Sequence, residues 1–113
     1  MAPGVNLPAP TISTHVLDVE RGMPAAGVRV TLYRLADDGR PVRMTQALTD
    51  DDGRVRDLLE RPLLVGDYRL EFGFGSGGFF EKLSLDLHVA DASRSYHVPL
   101  LRSSFGLTTY RGS

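Results

Sequence analysis

The chain has 113 residues, enough for one domain that buries roughly two-thirds of its unfolded surface and too few for a second. Its 13 Lys and Arg against 14 Asp and Glu leave a net charge of -1, which offers no electrostatic footprint for a phosphate backbone and argues against nucleic acid as a partner. The absence of cysteine excludes disulfides, thiolate metal sites and a cysteine nucleophile, so stability has to come from packing or association.

Residues 1–10, MAPGVNLPAP, contain neither the basic stretch nor the apolar run of a secretory leader and read as a flexible N-terminal arm, with the domain in residues 11–113. No apolar run approaches the roughly 20 residues that a membrane helix needs. The expectation is a cytoplasmic protein with no membrane partner. From Thr11 onward apolar and polar residues alternate with period two, and glycine interrupts them at short intervals, which is an all-β pattern. Strands are predicted over about 11–18, 27–35, 41–49, 53–58, 67–74, 79–90, 95–102 and 105–111. In the second, Val28, Val30 and Leu32 alternate with Arg29, Thr31 and Tyr33; in the sixth, Leu83, Leu85, Leu87 and Val89 alternate with Ser84, Asp86 and His88. Asp38-Gly39 and Asp52-Gly53 supply the positive φ angles of tight turns and predict two hairpin corners. Pro24 to Gly27 and Arg61 to Gly66 break the pattern. Seven or eight short strands at this spacing fit a β-sandwich, with no tandem repeat and no helix of ordinary length.

Strand parity separates the three histidines. His88 falls on the wet side of its strand and reads as a surface imidazole. His15, in TISTHVLD, shares a face with Ser13 and Leu17, opposite Ile12, Thr14 and Val16; His97, in SYHVPLL, lies opposite Tyr96, Val98 and Leu100. Taken singly, each reads as a core histidine satisfied by one hydrogen bond, yet two such positions in one small chain leave a functional pair open. No metal-ligand spacing links them. GFGSGG contains GxGxxG at Gly73, Gly75 and Gly78 but opens no helix after a strand, so it is a flexible loop and not a phosphate cradle. The acidic run Asp50 to Asp52 lacks the distal acidic ligand of a calcium loop and reads as a polar corner.

STHVLD, PAAGV, DGR, GDYRLEF, YHVPLL and the terminal YRGS occur in one order over almost the whole chain. Together they closely resemble the 5-hydroxyisourate hydrolases, the transthyretin-related enzymes of urate breakdown, and YRGS is the element that distinguishes those hydrolases from the hormone carriers of the same superfamily. The resemblance implies a transthyretin-like (prealbumin-like) β-sandwich of eight strands, a homotetramer built as a dimer of dimers with its sites between dimers, and a cofactor-free hydrolysis of a small purine-derived lactam. Carried over position by position, it implies catalytic roles for His15, Arg54 and His97, substrate-binding roles for Tyr110, Arg111, Gly112 and Ser113, and no metal. Between GDYRLEF and the next strand the family usually carries a longer segment with a short helix; here GFGSGG leads straight into FFEKLS, so that helix is expected to be missing.

The residue types suit the implied chemistry. Opening a lactam needs water activated near neutral pH, where imidazole titrates, so His15 and His97 form a paired base and acid whose order stays open. A guanidinium can stabilise the carbonyl oxygen as it gains charge, with Arg54 first in line and Arg111 second. Ser113 offers a hydroxyl and the α-carboxylate. The alternative is a non-catalytic transthyretin-like carrier of a small ligand in the inter-dimer channel; it predicts apolar residues where this chain has His and Arg-Gly-Ser. An immunoglobulin-like adhesion module would leave both histidines without a purpose.

Overall fold

The structure, a computed structural model, describes residues 9–112, so most of the predicted arm and Ser113 lie outside the described residues. Nine strands follow in chain order: β1 (Ile12–Asp18), β2 (Met23–Pro24), β3 (Arg29–Leu35), β4 (Pro41–Leu48), β5 (Arg54–Val55), β6 (Gly66–Gly73), β7 (Lys82–Val89), β8 (Tyr96–Arg102) and β9 (Leu107–Thr109). They form two packed sheets. One runs β4-β3-β6-β7 and is antiparallel throughout; the other runs β2-β1-β8-β9, with β5 added to β1. β1 and β8, far apart in sequence, pair in parallel from Ile12↔Tyr96 to Asp18↔Arg102.

The two sheets close on alternate side chains, because a strand presents every second residue to one face. Ile12 and Val16 of β1, Val30 and Leu32 of β3, Tyr68, Leu70 and Phe72 of β6, Val89 of β7 and Leu100 of β8 are fully buried between them. Tyr68 reaches a polar end: its hydroxyl donates to the Leu64 carbonyl at 2.7 Å and accepts from Arg34 Nη1 at 2.8 Å. Thr14, the buried polar residue of β1, donates to the Val98 carbonyl at 2.6 Å and so ties the parallel pair together.

Three expectations need adjustment. Asp38-Gly39 does join two hydrogen-bonded neighbours, β3 and β4, as a hairpin. Asp52-Gly53 does not: it carries the chain from β4 in one sheet to β5 in the other, so it is a corner between layers. The predicted strand 53–58 keeps only Arg54–Val55, since the chain then turns inward to bury Leu58 and Leu59, and the Leu58 N–H bonds the Ile12 carbonyl at 2.9 Å. The last strand shortens to Leu107–Thr109, followed by a single bridge between His97 and Gly112. Residues 74–81 pass from β6 to β7 by bends and irregular loop, without a helix.

Candidate active site

The outer face of the β1 sheet gathers side chains that sequence distance conceals. On β1, Ser13, His15 and Leu17 point away from the core because Ile12, Thr14 and Val16 point into it. Directly opposed residues on paired strands share a face. Thus Arg54, opposite His15, joins it, and His97, beside Ser13 in the parallel ladder, joins both. His15, Arg54 and His97 therefore share one half-buried surface.

Arg54 is placed by the corner before it. One oxygen of Asp50 accepts the backbone N–H groups of Asp52 and Arg54, each at 2.9 Å, while the Asp50 N–H donates to the Arg54 carbonyl at 2.9 Å. These donors hold the Asp50 carboxyl below its usual range, the Arg54 N–H first among them. Gly53 adopts a φ of 76°, and a Cβ there would strike the Val16 carbonyl oxygen. Only glycine lets the corner press onto β1, where its carbonyl accepts from the Val16 N–H at 2.7 Å and sets Arg54 against His15.

His97 is held on both flanks. Ser13 Oγ lies 2.8 Å from Nδ1, and Gly112 donates its N–H to the His97 carbonyl at 2.7 Å. An ideal Cβ on Gly112 would lie 2.7 Å from His97 Cδ2, so the imidazole occupies the space that any other residue would fill. Burial, then the positive charge of Arg54 and the neighbouring His15, push His97 below the ordinary histidine value. A neutral imidazole at neutral pH is available as a proton acceptor.

The rest of the predicted set divides. Tyr110 is about half exposed, at 55%, and lines the same cleft as Arg111, while Gly112 lies on the side of His97, to which it is bridged. Arg111 takes the other side: its guanidinium sits 4.5 Å from the centre of the Tyr96 ring, in a cleft of about 310 Å³ with Leu87, Val89 and Thr109. Within one chain, then, His15, Arg54, His97 and Gly112 come together and Arg111 does not join them. His88 is exposed and bonds Asp67 at 2.8 Å, as parity indicated. Sequence reasoning missed Ser13 and Asp50. Ser13 shares the parity of His15, which was a usable signal; the role of Asp50 needed the corner geometry.

A larger cleft, about 840 Å³, lies elsewhere, lined by Met23, Phe79, Phe80 and Phe105 among others. It holds no histidine, and its two carboxylates serve local structure: Asp18 accepts from the N–H groups of Glu20 and Arg21 at 3.1 Å, and Glu20 from the Ser104 N–H at 2.7 Å. Among the described residues no group of three or more His, Cys, Asp or Glu is placed to hold a metal ion, and no helix is long and apolar enough to cross a membrane.

Fold and face together define a two-sheet β-sandwich with two histidines and an arginine gathered on the outside of one sheet. The HIUase/Transthyretin family model matches residues 12–112, and the chain belongs to that family. It is 43% identical over 116 residues to the 5-hydroxyisourate hydrolase of Deinococcus radiodurans, covering 92% of this chain and 97% of the relative. The solved 5-hydroxyisourate hydrolase of Klebsiella pneumoniae superposes with a TM-score of 0.79 at 31% identity, over 92% of this chain and 99% of that one. Sea bream transthyretin in complex with thyroxine superposes with a TM-score of 0.81 at 27% identity, over 89% of this chain and 93% of that one. Backbone shape thus matches a solved hydrolase and a thyroxine-bound transthyretin about equally well, while the relative at 43% identity is a hydrolase.

Proposed function

We propose that the protein hydrolyses 5-hydroxyisourate to 2-oxo-4-hydroxy-4-carboxy-5-ureidoimidazoline, a step in urate degradation, by histidine-assisted attack of water on a cyclic amide. The observation that carries this reading is the placement of His15, Arg54 and His97 on one face by two separate strand registers. One imidazole accepts a proton from water as its oxygen adds to the ring carbonyl. The tetrahedral oxyanion gains the Arg54 guanidinium as a counter-charge, which acts only as charge develops and so lowers the barrier rather than merely binding substrate. The carbon–nitrogen bond then breaks, and the second imidazole gives the departing ring nitrogen its proton. These groups supply acid, base and counter-charge without a metal or cofactor.

The remaining family positions, Tyr110, Arg111, Gly112 and Ser113, belong to substrate binding in this reading, and Ser113 lies outside the described residues. The active assembly is a homotetramer, a dimer of dimers, in which the open face is closed by a second copy; the setting is the cytoplasm. A carrier has the fold in its favour, but a face built of two histidines and an arginine suits proton transfer better than an apolar ligand. The test is direct: generate 5-hydroxyisourate in situ from urate with urate oxidase and follow its ultraviolet decay. Decay at the uncatalysed rate in the presence of the protein would leave only the carrier.

A further inference from the structure

The hydrogen bond between Ser13 Oγ and His97 Nδ1, at 2.8 Å, has no part in the roles assigned so far. Its origin is the parallel pairing of β1 and β8, which sets Ser13 directly beside His97 on the outer face. The nearer ring nitrogen, Nδ1, thereby comes within reach of a one-carbon hydroxyl. On the other flank Cδ2 rests against the bare Cα of Gly112. The ring plane is thus clamped between two strands, and Nε2, at the outer end of the ring, is left for the reaction.

We infer that Ser13 is a positioning residue for His97, holding the imidazole plane and serving whichever tautomer the reaction requires. This rests on the hydrolase reading above and adds the group that orients its base or acid. A hydroxyl both donates and accepts. With Nε2 unprotonated, Nδ1–H donates to Oγ; with the proton on Nε2, Oγ–H donates to Nδ1. When Nε2 takes a proton from water and the ring becomes imidazolium, Nδ1–H donates to Oγ. A carboxylate in place of Ser13 would instead lock Nδ1–H and favour the charged ring. Among the described residues, the charged and titratable groups beside His97 are His15 from β1 and Arg54 from β5; Arg111 is turned to Tyr96, Arg56 is held toward Asp52 at 3.7 Å, and Asp57 accepts from the Thr11 hydroxyl. Burial, Arg54 and His15 all disfavour the charged ring of His97, and a serine adds no negative charge to oppose them.

The experiment compares Ser13→Ala, Ser13→Thr and Ser13→Asp in the full chain by steady-state kinetics across pH, with 15N spectra of the histidine rings in substrate-free protein. Loss of ring orientation in Ser13→Ala should lower kcat by about 10- to 100-fold with KM changed less than about threefold, and Ser13→Thr should recover most of it. Ser13→Asp should move to higher pH the limb of the kcat/KM profile that His97 sets, the acid limb if it is the base and the alkaline limb if it is the acid. The His97 nitrogen shifts should change in Ser13→Ala, with those of His88 unmoved. Wild-type kcat and pH profile in Ser13→Ala, or His97 shifts insensitive to it, would overturn the assignment; so would a threonine variant as impaired as the alanine one. If Ser13→Ala proves unfolded by circular dichroism, the pH limb of Ser13→Asp decides. A wild-type protein inert toward 5-hydroxyisourate would sink the hydrolase reading, and the nitrogen shifts alone then decide whether Ser13 holds the ring.

Discussion

Replacing Gly112 by alanine tests the terminal stretch with one methyl group. The new Cβ would stand 2.7 Å from His97 Cδ2 and 3.4 Å from its Cβ and Cγ. Carbon atoms rest at about 3.5–4.0 Å, so the closest pair is short by roughly 0.8 Å or more, and something has to move. Two responses are open. The imidazole swings toward β1 and strains its bond to Ser13, or the terminal strand lifts and gives up the Gly112 N–H to His97 carbonyl bond at 2.7 Å. The first displaces a reacting group and the second the stretch assigned to substrate binding, each by most of an ångström, a misplacement worth about 100-fold in rate. Stability should hardly change. Gly112 is not in the left-handed backbone region, so alanine is conformationally acceptable and the net effect should stay within about 1 kcal/mol. Substrate decay and thermal melting, measured on the same preparation, separate the two effects. A Gly112→Ala enzyme with kcat/KM within about twofold of wild type would show that the ring and the terminal strand do not cooperate in turnover.

Exchanging His15 or His97 for asparagine should cost about 10²–10⁴-fold in kcat with the fold retained, and near-wild-type rates in both single variants would remove the acid–base assignment. The lowered pKa of His97 carries a sign: between its folded value and the unfolded value near 6.5 the unfolded chain binds more protons, so stability rises with pH through that window and is lost as pH falls through it. The urea midpoint of wild type should therefore fall relative to that of His97→Asn as pH drops through the window, and parallel curves would contradict this. Tyr68→Phe, far from the site, leaves the Leu64 carbonyl and Arg34 without the hydroxyl they share and should cost about 1–3 kcal/mol in denaturant titrations while leaving kcat unchanged.

Alternation exposed the elements whose two faces meet different surroundings. In β7, Leu83, Leu85 and Leu87 pack toward the core while Ser84, Asp86 and His88 face out, as the period-two pattern reads. The pattern does not record which strand a segment joins. Asp52-Gly53 has the local chemistry of a hairpin, yet the strand it opens pairs with β1, because Gly53 fits against the Val16 carbonyl. A turn residue fixes backbone direction over a few positions; sheet membership depends on a contact it cannot encode alone. Parallel pairing of β1 with β8 is hidden for the same reason, and with it the adjacency of Ser13 and His97. Resemblance supplied His15, Arg54 and His97 as a set, but the same resemblance grouped Arg111 with them. Alternation within YRGS puts Gly112 opposite His97 and turns Arg111 to the other side, onto Tyr96.

The openness of the face bears on how such a site could work at all. Arg54, His15 and His97 are each only half buried on the outside of a sheet, and charges in contact with bulk water are strongly screened. At an effective dielectric near that of water, a guanidinium about 4 Å from a developing oxyanion contributes about 1 kcal/mol, against about 4 kcal/mol when the dielectric falls to about 20. The difference, about 3 kcal/mol, is more than a hundredfold in rate. A single chain displaying these three groups to solvent would forgo most of that factor. Leu17 and Leu101, half buried on the same face, give an apolar border against which another surface can seat and exclude water. The proposed dimer-of-dimers assembly therefore has a catalytic reason beside the structural one: a copy laid over this face lowers the dielectric around Arg54 and turns a surface into a cleft. A variant held apart at this face should keep its fold while losing the larger part of its rate.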